Sequence, residues 1–326
     1  MARLELRAPF ERIAEGADAR VYAVELSGCE ASTIPSRLVL RIFKREHRAL
    51  LEAAVMDEVA RRGFPAPRVP WASEDRALVG APVMLVERIS GRPMLGDPSN
   101  PPGSARERLV RVTTDVRNLT RLGAVIAEQA AALHALDGEA VLRACGERSP
   151  DTGYLLLDAA LARMESRVAS QSEPGLTRAF EWVARQRPPD PKPRLVCHGD
   201  LNPTNILVEG SRVTGVIDWS AVSFDHRERE IGVLRAGLMT IPILGFVGEW
   251  VGRWIAASLT RSYRSLAPLD EAIVRYYEAY IVLHLALQYR DVQSGLRPER
   301  GPWDNESGQR RAARHFEEIT GVRLPF

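Results

Sequence analysis

The sequence predicts an α+β fold in two parts: a small antiparallel sheet with one helix over residues 1–90, and a larger, mainly helical part over 91–326 that holds a β-hairpin. Three observations carry this. Short runs rich in β-branched and aromatic residues crowd into the first ninety positions. After a stretch at 91–103 with four prolines and three glycines, apolar residues recur at helical spacing. Two apolar runs then flank Glu209-Gly210-Ser211, a hairpin signature.

In order along the chain, residues 20–24, 37–43 and 83–89 read as strands. A helix is expected over 48–62, stopped by Gly63 and Pro65. Leu122, Val125, Ile126, Ala130 and Leu133 share one face of a helix over 121–136. Helices are also expected over 154–168, 176–185, 249–263 and 270–289. Residues 187–194 form a proline-rich loop that leads into the buried run Leu195-Val196-Cys197. The hairpin strands are 206–208 and 213–217.

Composition narrows the function. With 326 residues, 45% hydrophobic and 26% charged, the chain suits one large or two modest domains and excludes a disordered or collagen-like chain. A net charge of +2 gives no sign of a nucleic-acid-binding surface. Three widely spaced cysteines without a C-x-x-C pair speak against a disulfide framework or a zinc site, and fit a reducing cytoplasm. The first residues lack the apolar core of a signal peptide. The uncharged stretch 236–248, broken by Pro242, is too short to span a bilayer. Of the 44 basic residues other than histidine, only Lys44 and Lys192 are lysines, so few positions can supply a lysine-dependent step.

The chemistry gathers around the hairpin. Asp200 precedes it, Asn205 opens its first strand and Asp218 follows its second. The open ends of a hairpin lie together, so these groups can converge. Oxygen-only donors suit Mg²⁺, which also binds substrate phosphates. A further carboxylate can orient or deprotonate a hydroxyl nucleophile. Together they form an apparatus for phosphoryl transfer.

His198-Gly199-Asp200-Leu201-Asn202-Pro203-Thr204-Asn205 resembles the H-x-D-x-x-x-x-N catalytic loop of the protein-kinase-like fold. Ile217-Asp218-Trp219 resembles the I-D-W of aminoglycoside phosphotransferase and choline kinase relatives. The likeness runs from about Ile13 to at least Ile231 and implies a bilobal kinase fold with nucleotide between the lobes. Carried over by position, it implies that Asp200 is the catalytic carboxylate, that Asn205 and Asp218 hold Mg²⁺ against ATP, and that His198 supports the loop. Gly16, Ala17 and Asp18 resemble the family's short nucleotide loop, although Gly16 also suits a plain turn. Arg41 stands where kinases carry a phosphate-binding Lys, with Lys44 as the alternative. Glu52 is the expected partner of that cation, with Glu58 as second choice. Glu87 and Ile89 resemble the hinge whose backbone receives adenine.

The resemblance implies an ATP/Mg²⁺-dependent kinase for a hydroxyl of a small molecule: an antibiotic such as an aminoglycoside or macrolide, or a metabolite. A catalytically silent pseudokinase that binds nucleotide or a partner is the alternative. The short segment after Asp218 lacks the A-P-E of protein kinases. Kinases of polycationic aminoglycosides tend towards acidic pockets, yet acidic and basic residues are about balanced beyond residue 96. The acidic candidates for acceptor contacts are Asp225, Glu228, Glu278 and Asp304. The apolar run 241–247 would suit a less polar acceptor.

Overall fold

The computed structural model describes residues 5–7, 10–15, 19–27, 34–44, 48–95, 104–149, 151–240, 245–296 and 304–326. The candidate loop residues Gly16, Ala17 and Asp18 lie outside them. The chain forms two compact units: Met1–Asn118 with Glu139–Thr152 and Pro203–Ser220, and Leu119–Gly138 with Gly153–Asn202 and Ala221–Phe326.

The first unit is built on an antiparallel sheet of β1 (Glu5–Leu6), β2 (Glu11–Glu15), β3 (Ala19–Ser27), β4 (Arg37–Phe43), β5 (Trp71–Ser73) and β6 (Val83–Glu87). Its order is β1-β3-β4-β6-β5, with β2 also on β3. Helix α1 (Ala49–Arg61) buries Leu51, Val55, Met56 and Val59 and packs on β5 and β6. Each fully buried aliphatic side chain of this kind contributes about 1.5–3 kcal/mol.

The end of α1 directs the chain towards the hairpin. Gly63 takes φ +90°, a conformation that residues with a Cβ resist. Gly63 N bonds to Ala60 O at 3.0 Å and Phe64 N to Val59 O at 3.1 Å, the paired bonds of a Schellman cap. The cap aims Phe64 at Trp219, edge to face, with ring centroids 5.7 Å apart. Next in the chain, Pro65 O accepts Val216 N at 2.7 Å.

Val216 closes the predicted hairpin, β9 (Ile206–Glu209) with β10 (Arg212–Val216), so Gly63-Phe64-Pro65 ties the hairpin to the first unit. A second tie comes from β7 (Arg92–Pro93), which pairs with β9. Thr214 Oγ1 also donates to Ser90 O at 2.6 Å. These bonds explain why the division differs from the expected 1–90 and 91–326: backbone hydrogen bonding places the hairpin with the N-terminal sheet.

The second unit is mainly helical, with α4 (Leu157–Gln171), α5 (Pro174–Arg185), α6 (Arg227–Thr240), α7 (Gly245–Leu266), α8 (Glu271–Gln293) and α9 (Glu306–Thr320). A two-stranded sheet joins β8 (Leu195–Cys197) to β11 (Ser223–Asp225). The core gathers Leu161, Met164, Leu176, Val183, Leu283 and Phe316. Helix starts follow their capping residues: Asp270 accepts Ala272 N at 2.9 Å, and Asn305 accepts Gly308 N at 3.0 Å. Helix α2 (Ala105–His134) and α3 (Gly138–Arg148) each have residues in both units. Among the described residues, no helix is long and apolar enough to cross a membrane.

A buried ion pair ties α6 and α8 together. Asp225 Oδ2 accepts Arg229 NH1 at 2.9 Å, while its Oδ1 accepts Tyr277 OH at 2.6 Å. Arg229 also lies 5.3 Å from the Tyr280 ring. Removing one member of a buried pair leaves the other uncompensated, at a cost of about 3–5 kcal/mol. Asp225→Ala is therefore expected to lower unfolding stability by about that amount. Tyr277→Phe should cost less, about 1.5–3 kcal/mol for one bond to a charged group. Urea denaturation midpoints measure both, and an Asp225→Ala midpoint at the wild-type value would contradict this account.

Candidate active site

On the first unit, three elements bring one cluster together. Arg41 projects from β4, Glu52 from the first turns of α1, and Asp218 from the segment after β10. Arg41 NH1 meets Glu52 Oε1 at 2.5 Å, and Arg41 NH2 meets Asp218 Oδ1 at 3.3 Å. Glu52 is buried, whereas the Asp218 side chain is 46% exposed. The guanidinium is thus fixed from below and shared with a carboxylate open to ligand. Glu58 is occupied elsewhere, by Arg61 at 2.5 Å and Arg62 at 2.8 Å. The structure therefore brings Glu52, and not the alternative Glu58, to Arg41.

Asn205 stands just before β9, buried, and its backbone O accepts Ile217 N at 2.9 Å. That bond puts residue 205 beside the segment carrying Asp218. Trp219 is fully buried, and its indole N–H donates to Val216 O at 3.0 Å. With the indole anchored, Asp218 is held at φ +64°, left-handed backbone that Asp tolerates better than most residues. Asn205 and Asp218 supply oxygen donors only, a set that fits Mg²⁺. At the expected hinge, Glu87 N bonds to Arg68 O at 2.8 Å and Ile89 lies against Gly215.

On the second unit, the loop after β8 carries His198, Gly199 and Asp200. His198 is fully buried, and its Nδ1 accepts Asp200 N at 3.3 Å. The Asp200 carboxylate accepts Asn202 Nδ2 at 2.8 Å. Gly199 takes φ +79°, and a Cβ there would collide with Ala221 O, so the close turn admits no side chain. Gly199 N donates to Glu230 Oε2 on α6 at 3.1 Å. Glu230 thus reaches from α6 to accept a backbone donor of the 198–200 turn.

Glu230 also faces a buried donor set. His134 Nδ1 bonds to Tyr263 OH at 2.6 Å. The ligand-type atoms of His134, Cys197 and Glu230 all lie within 4.8 Å of one another. Burial, aided by the Arg227 charge, pushes the His134 imidazole down to about 3. Burial also pushes the Cys197 thiol up. Burial pushes the Glu230 carboxyl up to about 7, opposed by the backbone bonds from Gly199 and His198 and assisted by Asp200. Burial thus works against the charged form of all three groups behind the 198–200 turn.

The acidic residues expected at the acceptor occupy the interior. Asp225 serves Arg229 and Tyr277. Glu228 Oε1 accepts Asp270 N at 3.0 Å. Glu278 Oε1 lies 2.6 Å from Arg235 Nε, and its Oε2 lies 3.5 Å from His315 Nε2. Asp304 is buried as well. Pairing with internal cations and helix-start amides accounts for the first three, so the structure does not present them as an acidic acceptor wall.

With this geometry in place, likeness to known proteins can be judged. The family model described as "Phosphotransferase enzyme family" matches residues 9–269. A Ralstonia eutropha JMP134 structure, provisionally assigned as an aminoglycoside phosphotransferase, is 18% identical with a TM-score of 0.64, covering 99% of this chain and 94% of that one. A thermostable mutant of aminoglycoside phosphotransferase APH(4)-Ia, solved with AMP-PNP and hygromycin B, is 17% identical with a TM-score of 0.55 over 97% of this chain and 94% of that one. Macrolide 2'-phosphotransferase of Brachybacterium faecium is 17% identical with a TM-score of 0.51, over 96% and 91%. These likenesses establish the kinase-like fold. Acyl-CoA dehydrogenase family member 11 of Gallus gallus is 24% identical over 192 residues, 57% of this chain but only 22% of that protein.

The raised Glu230 carboxyl has a pH consequence. Below about 4.5 the group is protonated in folded and unfolded chains alike, and the folded state bears no charge penalty. As pH rises towards about 7 the unfolded chain releases the proton first, so stability falls across that window. Glu230→Gln is expected to remove this slope, which is on the order of 3 kcal/mol in full. Urea denaturation of both proteins at pH 5 and pH 8 measures it, and parallel pH profiles would refute it.

Proposed function

The chain belongs to the phosphotransferase enzyme family, and we propose that it moves the γ-phosphoryl group of ATP to a hydroxyl of a small molecule with Mg²⁺ as its metal. The observation that carries this reading is Arg41 held between buried Glu52 and exposed Asp218. The arrangement leaves a fixed cation beside an accessible carboxylate, which is what a metal-bound triphosphate requires.

Each residue then has a task. Arg41 is permanently charged and presents a fork that suits phosphate oxygens. Glu52 fixes the direction of that fork. Asn205 and Asp218 are the residues that would hold Mg²⁺, which when bound supplies charge neutralisation on the phosphoryl oxygens. The Glu87–Ile89 backbone receives adenine; Gly16, Ala17 and Asp18, the nucleotide-loop candidates by sequence, lie outside the described residues. Asp200 orients the acceptor hydroxyl and takes its proton as the new O–P bond forms and the bond to the β,γ-bridging oxygen breaks, releasing ADP. His198 and Glu230 hold the backbone on which Asp200 stands.

Family membership and an intact Asp200, Asn205 and Asp218 favour an enzyme over a silent binding module. The acceptor is a small-molecule alcohol, the class to which the aminoglycoside and macrolide substrates named for the similar structures belong. Asp200→Asn is expected to lower kcat by about 10²–10⁴-fold, the usual range for a lost general base, while ATP affinity stays within a few-fold. Arg41→Ala is expected to raise the ATP KM by about 10-fold or more through lost charged hydrogen bonds. ADP release across an acceptor panel measures both. Equal ADP release by wild type and Asp200→Asn with every acceptor would favour the silent reading.

A further inference from the structure

Behind the turn at residues 198–200, the helical unit brings three donors of metal-binding type together from three separate elements. His134 ends α2, Cys197 ends β8 and Glu230 lies in the first turn of α6. A ring nitrogen, the thiol sulfur and a carboxylate oxygen all lie within 4.8 Å of one another. Cys197 and Glu230 are fully buried, and His134 is 8% exposed. Cysteine spacing gave no sign of this group because its members are scattered along the chain.

The polar atoms here are not spent on the protein. Among the described residues, His134 Nε2, Glu230 Oε1 and Ser223 Oγ are buried without a hydrogen-bond partner. Ser223 is the cross-strand partner of Cys197 in the β11–β8 pair, so the two side chains leave the same face. Buried polar atoms are nearly always bonded, and three orphans gathered around one thiol call for a ligand. A thiol is a weak hydrogen-bonding group, so water alone satisfies this set poorly. Imidazole, thiolate and carboxylate are the donors that Zn²⁺ takes.

The surroundings favour a cation. His134 Nδ1 bonds to Tyr263 OH at 2.6 Å. With Nδ1–H directed at the phenol oxygen, the lone pair of Nε2 is left for a metal. The Glu230 backbone N–H favours the thiolate form of Cys197. Arg229, whose charge reaches Cys197 and Glu230, is itself paired with Asp225 at 2.9 Å. A dication supplies the countercharge that burial denies to a thiolate and a carboxylate, and its binding releases the thiol proton to solvent. Zn–N is about 2.0–2.1 Å and Zn–S about 2.3 Å, so tetrahedral donors stand about 3.3–3.6 Å apart and the side chains need close by little more than about 1 Å.

We propose that His134 Nε2, Cys197 Sγ and Glu230 Oε1 form a zinc site, with a water held by Ser223 Oγ as the fourth ligand. Glu230 then has both oxygens engaged, Oε2 by Gly199 N–H at 3.1 Å and Oε1 by the metal. The ion pins α2, β8 and α6 to one another. It is separate from the Mg²⁺ assigned to Asn205 and Asp218, and it does not depend on the phosphotransfer reading. The pH slope described above for Glu230 is that of the metal-free chain.

The test loads the full chain with Zn²⁺ or Co²⁺ and removes loose metal by gel filtration. Elemental analysis gives zinc per chain, and Co²⁺ is read by its sulfur-to-metal charge-transfer absorption. Wild type, Asp218→Asn and Cys29→Ala/Cys145→Ala, in which Cys197 is the remaining thiol, should each hold about one zinc and show the band. Cys197→Ala and His134→Ala should retain at most about one-tenth as much zinc. Less than about 0.1 zinc per wild-type chain overturns the proposal. So does undiminished zinc in Cys197→Ala, or a Cys29→Ala/Cys145→Ala chain without the band. Should a ligand variant fail to fold by circular dichroism, the band in Cys29→Ala/Cys145→Ala decides: its presence supports the site and its absence overturns it.

Discussion

A guanidinium withdrawn from water has to be compensated, and the way Arg41 is compensated organises the first unit around β4, α1 and the segment after the hairpin. Its side chain is only 13% exposed, and Glu52, still more buried, takes one arm of the fork. The second arm reaches Asp218, whose other surface remains in solvent. Strand β4, helix α1 and the hairpin segment therefore cannot shift independently without unpairing a charge. The Schellman cap at Gly63 serves the same end mechanically, because the turn that ends α1 delivers Phe64 to Trp219 and Pro65 to Val216.

The loop after β8 solves a different problem, the satisfaction of backbone donors in a tight buried turn. Gly199 provides the turn, His198 Nδ1 receives one amide, and Glu230 receives another. The acceptor on α6 is a long, flexible carboxylic acid in a site that disfavours its ionised form. Its neighbours His134 and Cys197 are likewise pressed towards neutrality.

Much of this was legible in the sequence because it rests on local rules. Strand β4 falls at the predicted residues, and β3 and β6 overlap their predicted runs, since β-branched runs and turn residues bracket them. Helix α1 ends where Gly63 and Pro65 said it would. The spacing of Asp200, Asn205 and Asp218 is a linear motif and needed no tertiary knowledge to be noticed. What the sequence missed depends on packing. Helix α9 is strongly polar, and its pattern stands out only once Phe316 and Ala312 are seen inside the core. The first half of α2 and all of α3 also went unread. The burial and pairing of Asp225, Glu228 and Glu278 were hidden for the same reason: a carboxylate in a sequence looks available until its buried partner is known. Arg235 lies 43 residues before Glu278, and Arg229, although only four residues after Asp225, was masked by a general abundance of arginine.

Asp218 closes the matter of what change this protein can absorb. Its backbone sits in a region where L-residues other than Asn, Asp and Gly are uncommon. The conformational demand and the demand for an oxygen donor thus select almost the same few amino acids. Genetic drift at this codon is confined to a narrow corridor, in which Asn keeps the turn and weakens the charge while Gly keeps the turn and abolishes the donor. Either change also leaves the second arm of the Arg41 guanidinium without its carboxylate, so the same position couples backbone shape to charge balance.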